Sequence, residues 1–305
     1  MPRSSDWQLA HTSYTMMSTW GDCREKFRLK YAERVPEKPG IWFPQGNTIH
    51  ACAYDFHMNP DIEIEELIDM AHGYYDEHIA GKEFWDFKGH RLTAEEIEEE
   101  RESTLRWLRG YVAGVKDGTF PFIKFSKPPE QDIERPVDGS NLIARGTVDF
   151  FAESVSVLPT GEILMKSDDG SIHLGDFKTG NAKKMYGWNQ VKADIDLQPT
   201  VYGYIMGKPL TFHYIVIEKT ASHEKPSLKH LVTYRDEHDY ARFERMVATF
   251  EMETDRLNGY ENGIFYPEPV MGYGKFCNKL CGYKDLCWSL NFDRDNRPIE
   301  LEGEA

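Results

Sequence analysis

The spacing of hydrophobic positions changes near the middle of this chain. Up to about residue 117 they recur three and four apart between charged residues; beyond it they gather into short β-branched and aromatic runs. The first half therefore predicts helices. One runs from Ser13 to Tyr31 and is ended by Pro36, Pro39 and Gly40. A second starts at Gly46–Asn47, with Asn47 as N-cap and His50 in its first turn. Helical spacing then continues from Ile62 to about Asp117, so residues 55–118 read as a helical arm inserted into, or packed over, a core. The second half predicts extended segments at Phe120–Phe125 and Gln131–Pro136 and a strand at Leu142–Ala152. A hairpin of Ser154–Leu158 and Glu162–Lys166 turns at Pro159-Thr160-Gly161, and strands follow at Ser171–Lys178, Thr211–Glu218 and Leu228–Tyr234. Helices are predicted at Asp194–Met206 and Arg235–Asn258. No internal repeat is visible, and the expected architecture is α/β: a central mixed sheet flanked by helices, in one domain spanning 1–305.

Composition narrows the class. The 305 residues are 40% hydrophobic and 13% aromatic, as in a globular chain able to bury a core. Met1 to Trp20 is polar and lacks the apolar run of a signal peptide, and no stretch could span a membrane, so a cytoplasmic location is expected, with no membrane partner. A net charge of −15 excludes a protein that coats nucleic acid without specificity, because such binding neutralises phosphates. It does not exclude a nuclease, in which local patches and metal ions hold the substrate. The acidic runs Glu63–Asp69 and Glu95–Glu102 read as solvated helix faces.

Candidate chemistry lies in Gly146-Thr147-Val148-Asp149 and Asp176-Phe177-Lys178. Both carboxylates can fall on neighbouring strands, where they would hold Mg²⁺ or Mn²⁺ and leave positions open for a phosphate and a water. Lys178 lies two residues from Asp176, on the same strand face, and can orient the water and offset charge on the phosphate. Taken alone, the Asp and Lys would read as a surface ion pair. His50 could add a nitrogen ligand, or be a satisfied, half-buried histidine. Glu134 could be a further acid near the metal, or an exposed partner of Arg135. Gln198 and Tyr202, four apart on one helix face, could contact the substrate backbone or brace the lysine. Gly146 would let backbone or substrate approach closely. Trp85, Phe87 and Trp107 could stack bases, although their helical spacing favours core packing.

In order, Gly46-x3-His50, Gly146-x2-Asp149, Asp176-x-Lys178 and Gln198-x3-Tyr202 resemble the motif series of the PD-(D/E)XK nuclease superfamily, in its RecB-like branch, from about Ser13 to Trp288. The resemblance implies a restriction-endonuclease-like core and a Mg²⁺ or Mn²⁺ site. His50, Asp149 and Asp176 would be its ligands, Lys178 the catalytic lysine, and Gln198 and Tyr202 the supporting pair. The 27 positions between Asp149 and Asp176 exceed the usual hairpin, so Ser154 to Gly170 are expected to protrude.

Cys277, Cys281 and Cys287 form C-x3-C-x5-C, and with Cys23 they supply four thiolates for a [4Fe–4S] cluster or, as the alternative, zinc. One N-terminal and three C-terminal cysteines around the nuclease motifs resemble the iron–sulfur nucleases of the AddB type and the CRISPR-associated Cas-four exonucleases. There the cluster staples the chain ends together. Cys52 lies outside this pattern and reads as a core residue. The implied activity is hydrolysis of DNA from single-stranded ends, in viral recombination or CRISPR adaptation. The alternative is a catalytically weak iron–sulfur DNA-binding subunit of such a complex. A zinc-stapled protein unrelated to nucleic acid would leave the ordered motifs to coincidence.

A cluster joining Cys23 to Cys277 closes a very long loop, so losing one ligand should loosen the whole fold. Cys281→Ala is expected to lose the brown colour of the anaerobically purified protein and much of its soluble yield. Unchanged absorbance and yield would remove the cluster assignment.

Overall fold

The computed structural model describes residues 9–86, 89–167, 170–180, 187–258, 281–283 and 286–287. In chain order its elements are β1 (His11–Thr12), α1 (Tyr14–Asp22), α2 (Arg24–Phe27), a π-helical turn over Arg28–Ala32, α3 (Trp42–Met58), α4 (Ile64–Ile79), α5 (Ala94–Lys116), β2 (Phe122–Phe125), β3 (Gln131–Pro136), β4 (Ile143–Val148), β5 (Phe150–Val157), β6 (Glu162–Lys166), β7 (Ile172–Gly180), α6 (Gln190–Ile195), α7 (Leu197–Met206), β8 (Leu210–Glu218), β9 (Leu228–Arg235) and α8 (Glu237–Asn258). Among these no helix is long and apolar enough to cross a membrane.

Two sheets share one chain excursion. The larger has the order β2-β5-β7-β8-β9, with β6 hairpinned onto β5; β7 and β8 run parallel and the other pairs antiparallel. The smaller, β1-β4-β3, meets it where β4 passes into β5 through Asp149. The segment expected as one strand from Leu142 to Ala152 is thus two strands in two sheets. Helices cover both faces of the larger sheet, as the α/β pattern requires. On one face Leu174, Phe212 and Tyr214 pack with Met16, Val201 and Phe243 of α1, α7 and α8. On the other, Phe150, Phe177, Ile215 and Ile217 pack with Phe56, Leu67 and Leu108 of α3, α4 and α5. The expected arm is therefore laid over the sheet as two separate helices, Ile64–Ile79 and Ala94–Lys116. Trp107 is buried in that layer, Trp85 bridges Gly40 and Arg91, and Phe87 lies outside the described residues.

Three helix boundaries differ from expectation, each for a local reason. Helix α3 begins at Trp42 instead of at Asn47, because Pro44 falls in its first turn, where a missing N–H leaves no hydrogen bond unmade. His50 consequently sits mid-helix. The expected helix Ser13–Tyr31 breaks at Cys23, whose backbone is extended and whose sulfur accepts the Lys26 N–H at 3.5 Å. The helix Asp194–Met206 breaks at Asp196, where buried Arg235 takes the carbonyl oxygens of Asp194 and Asp196 at 2.8 and 2.9 Å.

Buried histidines brace the sheet. His57 takes the Ile123 N–H on Nδ1 at 3.2 Å and meets the Tyr111 hydroxyl through Nε2, and burial pushes its pKa down to about 3. His173, His213 and His230 form a hydrogen-bonded row across β7, β8 and β9.

Gly175 sets the closeness of β5 to β7. A Cβ there would lie 2.0 Å from Phe150 Cζ and 2.6 Å from the His213 carbonyl oxygen. Gly175→Ala is expected to lower unfolding free energy by about 2 kcal/mol, read from the denaturant midpoint at unchanged slope.

Candidate active site

The β5–β7 ladder pairs Phe150 with Gly175, so Asp149 and Asp176 are the next residues out on either strand. Asp149 sits at the joint between the sheets, outside both ladders, and its carboxylate is held from two sides. Its Oδ2 accepts the Phe177 N–H at 3.0 Å and lies 3.2 Å from His50 Nδ1. Asp176 is 4% exposed. Its Oδ1 accepts Gln198 Nε2 at 2.6 Å, and its Oδ2 lies 2.7 Å from Lys178 Nζ. Asp176 Oδ2 is thus buried against the Lys178 ammonium. Lys178 Nζ donates to Gln198 Oε1 at 3.0 Å, which makes the Gln198 amide a clasp closing both members of the pair.

Helix α7 supplies that clasp and is itself tied down. Gln198 Nε2 also reaches the Tyr202 hydroxyl oxygen at 3.1 Å, and Tyr202 donates to the Thr147 carbonyl at 2.7 Å. Gly146 makes this possible: a Cβ there would lie 2.4 Å from the Tyr202 ring. The expected close approach at Gly146 is thus to this chain's own tyrosine. Gln198 and Tyr202 brace the lysine and the strand.

Charges act strongly here because the groups are shielded from water. Burial, and then the nearby Asp176 carboxylate, pushes the Asp149 carboxyl up to about 6; His50, Lys178 and the Phe177 N–H pull the other way. Burial alone would depress Lys178, but Asp176, Asp149 and Asp196 outweigh it, so its pKa is raised and it remains an ammonium.

A sequence model of the PD-(D/E)XK nuclease superfamily matches residues 11–288. The chain belongs to that superfamily. It is similar to the Gene 69 protein of Mycobacterium phage D29, with 24% identity over 285 residues that cover 87% of this chain and 93% of the phage protein. It is also similar to the crystal structure of a candidate exonuclease from Eubacterium rectale. There the identity is 16% and the TM-score 0.48, over 97% of this chain and 94% of that one.

A PD-(D/E)XK nuclease needs a place for a divalent cation, and the donors present suit one. Two carboxylates, buried Asp176 and half-buried Asp149, repel each other. Among the described residues no three acidic, histidine or cysteine side chains are gathered closely enough to hold a metal by themselves. An open set of carboxylate oxygens, completed by water and phosphate, is what hard Mg²⁺ and Mn²⁺ accept. Glu134 is not part of this group. It pairs with Arg145, its cross-strand neighbour on β4, at 2.8 Å.

Cys23 is buried at the break between α1 and α2, and Cys52 is buried in the core of α3 with its thiol pushed up to about 12 by burial and then by Asp55. Tyr283, between Cys281 and Cys287 in the sequence, donates to the Val35 carbonyl at 2.8 Å, and Cys287 is close enough to raise the Arg28 pKa. Cys277 lies outside the described residues.

Sequence reasoning missed Asp196. It caps α7 by accepting the Gln198 N–H at 3.3 Å, accepts the Tyr214 hydroxyl at 2.9 Å, and is hydrogen-bonded to Tyr14. An Asp immediately before an apolar helical run is an N-cap signal that could have marked it.

The pH dependence of stability follows from Asp149. Its carboxyl titrates near 6 in the folded metal-free protein, against 3.8 unfolded, so between these values the folded state holds the extra proton. Its charge therefore weakens the fold above pH 6 and costs nothing below about pH 4. Asp149→Asn should stabilise the chelator-treated protein by about 2 kcal/mol at pH 7 and by almost nothing near pH 4. Urea midpoints of both proteins across that range read the difference and cancel the opposing titration of His57.

Proposed function

We propose that this nuclease is a metal-dependent DNA exonuclease acting on single-stranded ends. Mg²⁺ or Mn²⁺ would be held by His50, Asp149 and Asp176, and a structural [4Fe–4S] cluster by Cys23, Cys277, Cys281 and Cys287. The observation that carries the catalytic reading is the buried Asp176 carboxylate, 2.7 Å from Lys178 and clasped with it by Gln198, beside the second carboxylate of Asp149. When bound, the cation supplies Lewis-acid polarisation of the phosphate and makes water more acidic.

The chain's own groups do the rest. Lys178 presents a fixed ammonium toward the phosphate oxygens that gain charge during cleavage, and it needs no reorganisation because Asp176 and Gln198 already hold it. His50 and the Phe177 N–H orient Asp149. Tyr202 and Asp196 keep Gln198 in place from opposite ends of the first two turns of α7. The cluster reading is supported by the nearness of Cys287 to Arg28, the residue that follows α2. A viral setting is supported by the likeness to a phage protein.

End-labelled single-stranded DNA incubated with Mn²⁺ or Mg²⁺ should be degraded by the anaerobically purified protein. Asp176→Ala and Lys178→Ala should each lower the rate by about a hundredfold or more. Folded, metal-supplied wild type that leaves every substrate intact would replace the exonuclease with a DNA-binding subunit.

A further inference from the structure

A cleft of about 800 Å³ opens beside Lys178, Gln198 and Tyr202 without including Asp149, Asp176 or His50. Its size is that of a small-molecule site. Its lining sets two acids, Asp132 and Glu134, among two cations, Arg145 and Lys178. Along one wall, β3 and β4 place cross-strand pairs on the open face of the smaller sheet: Asp132 opposite Thr147, and Glu134 opposite Arg145. Asp132 accepts the Thr147 hydroxyl at 2.7 Å, and Glu134 accepts Arg145 Nε at 2.8 Å. Tyr14 and Ile133, both half-buried, contribute apolar surface to the same cleft.

Asp132 and Glu134 share the cleft with Lys178, and their carboxylate oxygens suit the exocyclic amino groups of cytosine, adenine and guanine, which thymine lacks. An aromatic ring and an aliphatic side chain suit the face of a base. We infer that this cleft seats the unpaired base of the nucleotide next to the cut, with Asp132 and Glu134 reading its amino group. The inference rests on the nuclease reading above and adds a preference to it: amino-bearing bases over thymine. A base can enter such a cleft only when it is out of a duplex stack, which gives a physical source for single-strand preference.

The test uses fluorescence anisotropy of the full chain, in chelator, with labelled oligo-dC, oligo-dT and a strand of abasic residues. Oligo-dC should bind about tenfold tighter than oligo-dT, and the abasic strand weakest. Asp132→Asn, an exposed change that keeps an acceptor for Thr147, should lose or reverse the dC preference while retaining oligo-dT affinity; Glu134→Gln should reduce it. Equal binding of the three strands by wild type, no binding of any, or a dC preference that survives both substitutions would each overturn the inference. Cleavage of the same strands in Mn²⁺ separates the two readings. Discrimination in binding without cleavage leaves the base cleft standing and removes the nuclease, whereas cleavage without discrimination does the reverse.

Discussion

The Lys178–Asp176 pair is the interaction around which the site is organised. Removing an ammonium and a carboxylate from water costs more than their attraction returns unless the remaining donors and acceptors are also met. Here one amide meets them: Gln198 donates to the acid and accepts from the lysine. Everything that fixes Gln198 therefore bears on the pair. Tyr202 holds it to β4 through the Thr147 carbonyl, Asp196 caps its helix, and Arg235 secures the α6–α7 corner from below.

Asp149 is placed by a different device. It occupies the corner where the chain leaves one sheet and enters another, so neither ladder claims it and its side chain turns to His50 and the Phe177 N–H. The corner is brought against β7 because Gly175 lets Phe150 lie directly on that strand. The resulting closeness of two acids raises the Asp149 pKa. The fold thus stores a repulsion that a divalent cation would relieve, and the metal-free protein is the less stable for it.

Much of this was legible along the chain. Periodicity placed most strands and the long helices, and the protruding hairpin anticipated from the long gap between the two acids is the β5–β6 pair. Legibility failed at corners. Asn47 looks like a helix cap, yet Pro44 is equally at home in a first turn, and in that turn Gln45 is tied to Glu100 of α5 at 2.6 Å. Glu134 looked available to a metal, but strand register handed it to Arg145. Gly146 looked like an opening for substrate, and the space is filled by Tyr202, 56 positions later in the chain.

By itself the sequence determined the class of fold and the kinds of donor available, because residue type, strand alternation and helix periodicity are local properties. That Asp176 and Lys178 share a strand face, and that Gln198 and Tyr202 share a helix face, follows from backbone geometry alone. Which of those groups meet was settled only by tertiary structure. The β5–β7 register, the approach allowed at Gly175 and the capping of α7 by Asp196 depend on contacts between residues far apart in the chain. So do the pKa of Asp149 and the cleft beside Lys178, since burial and proximity are properties of the packed molecule and of no segment within it.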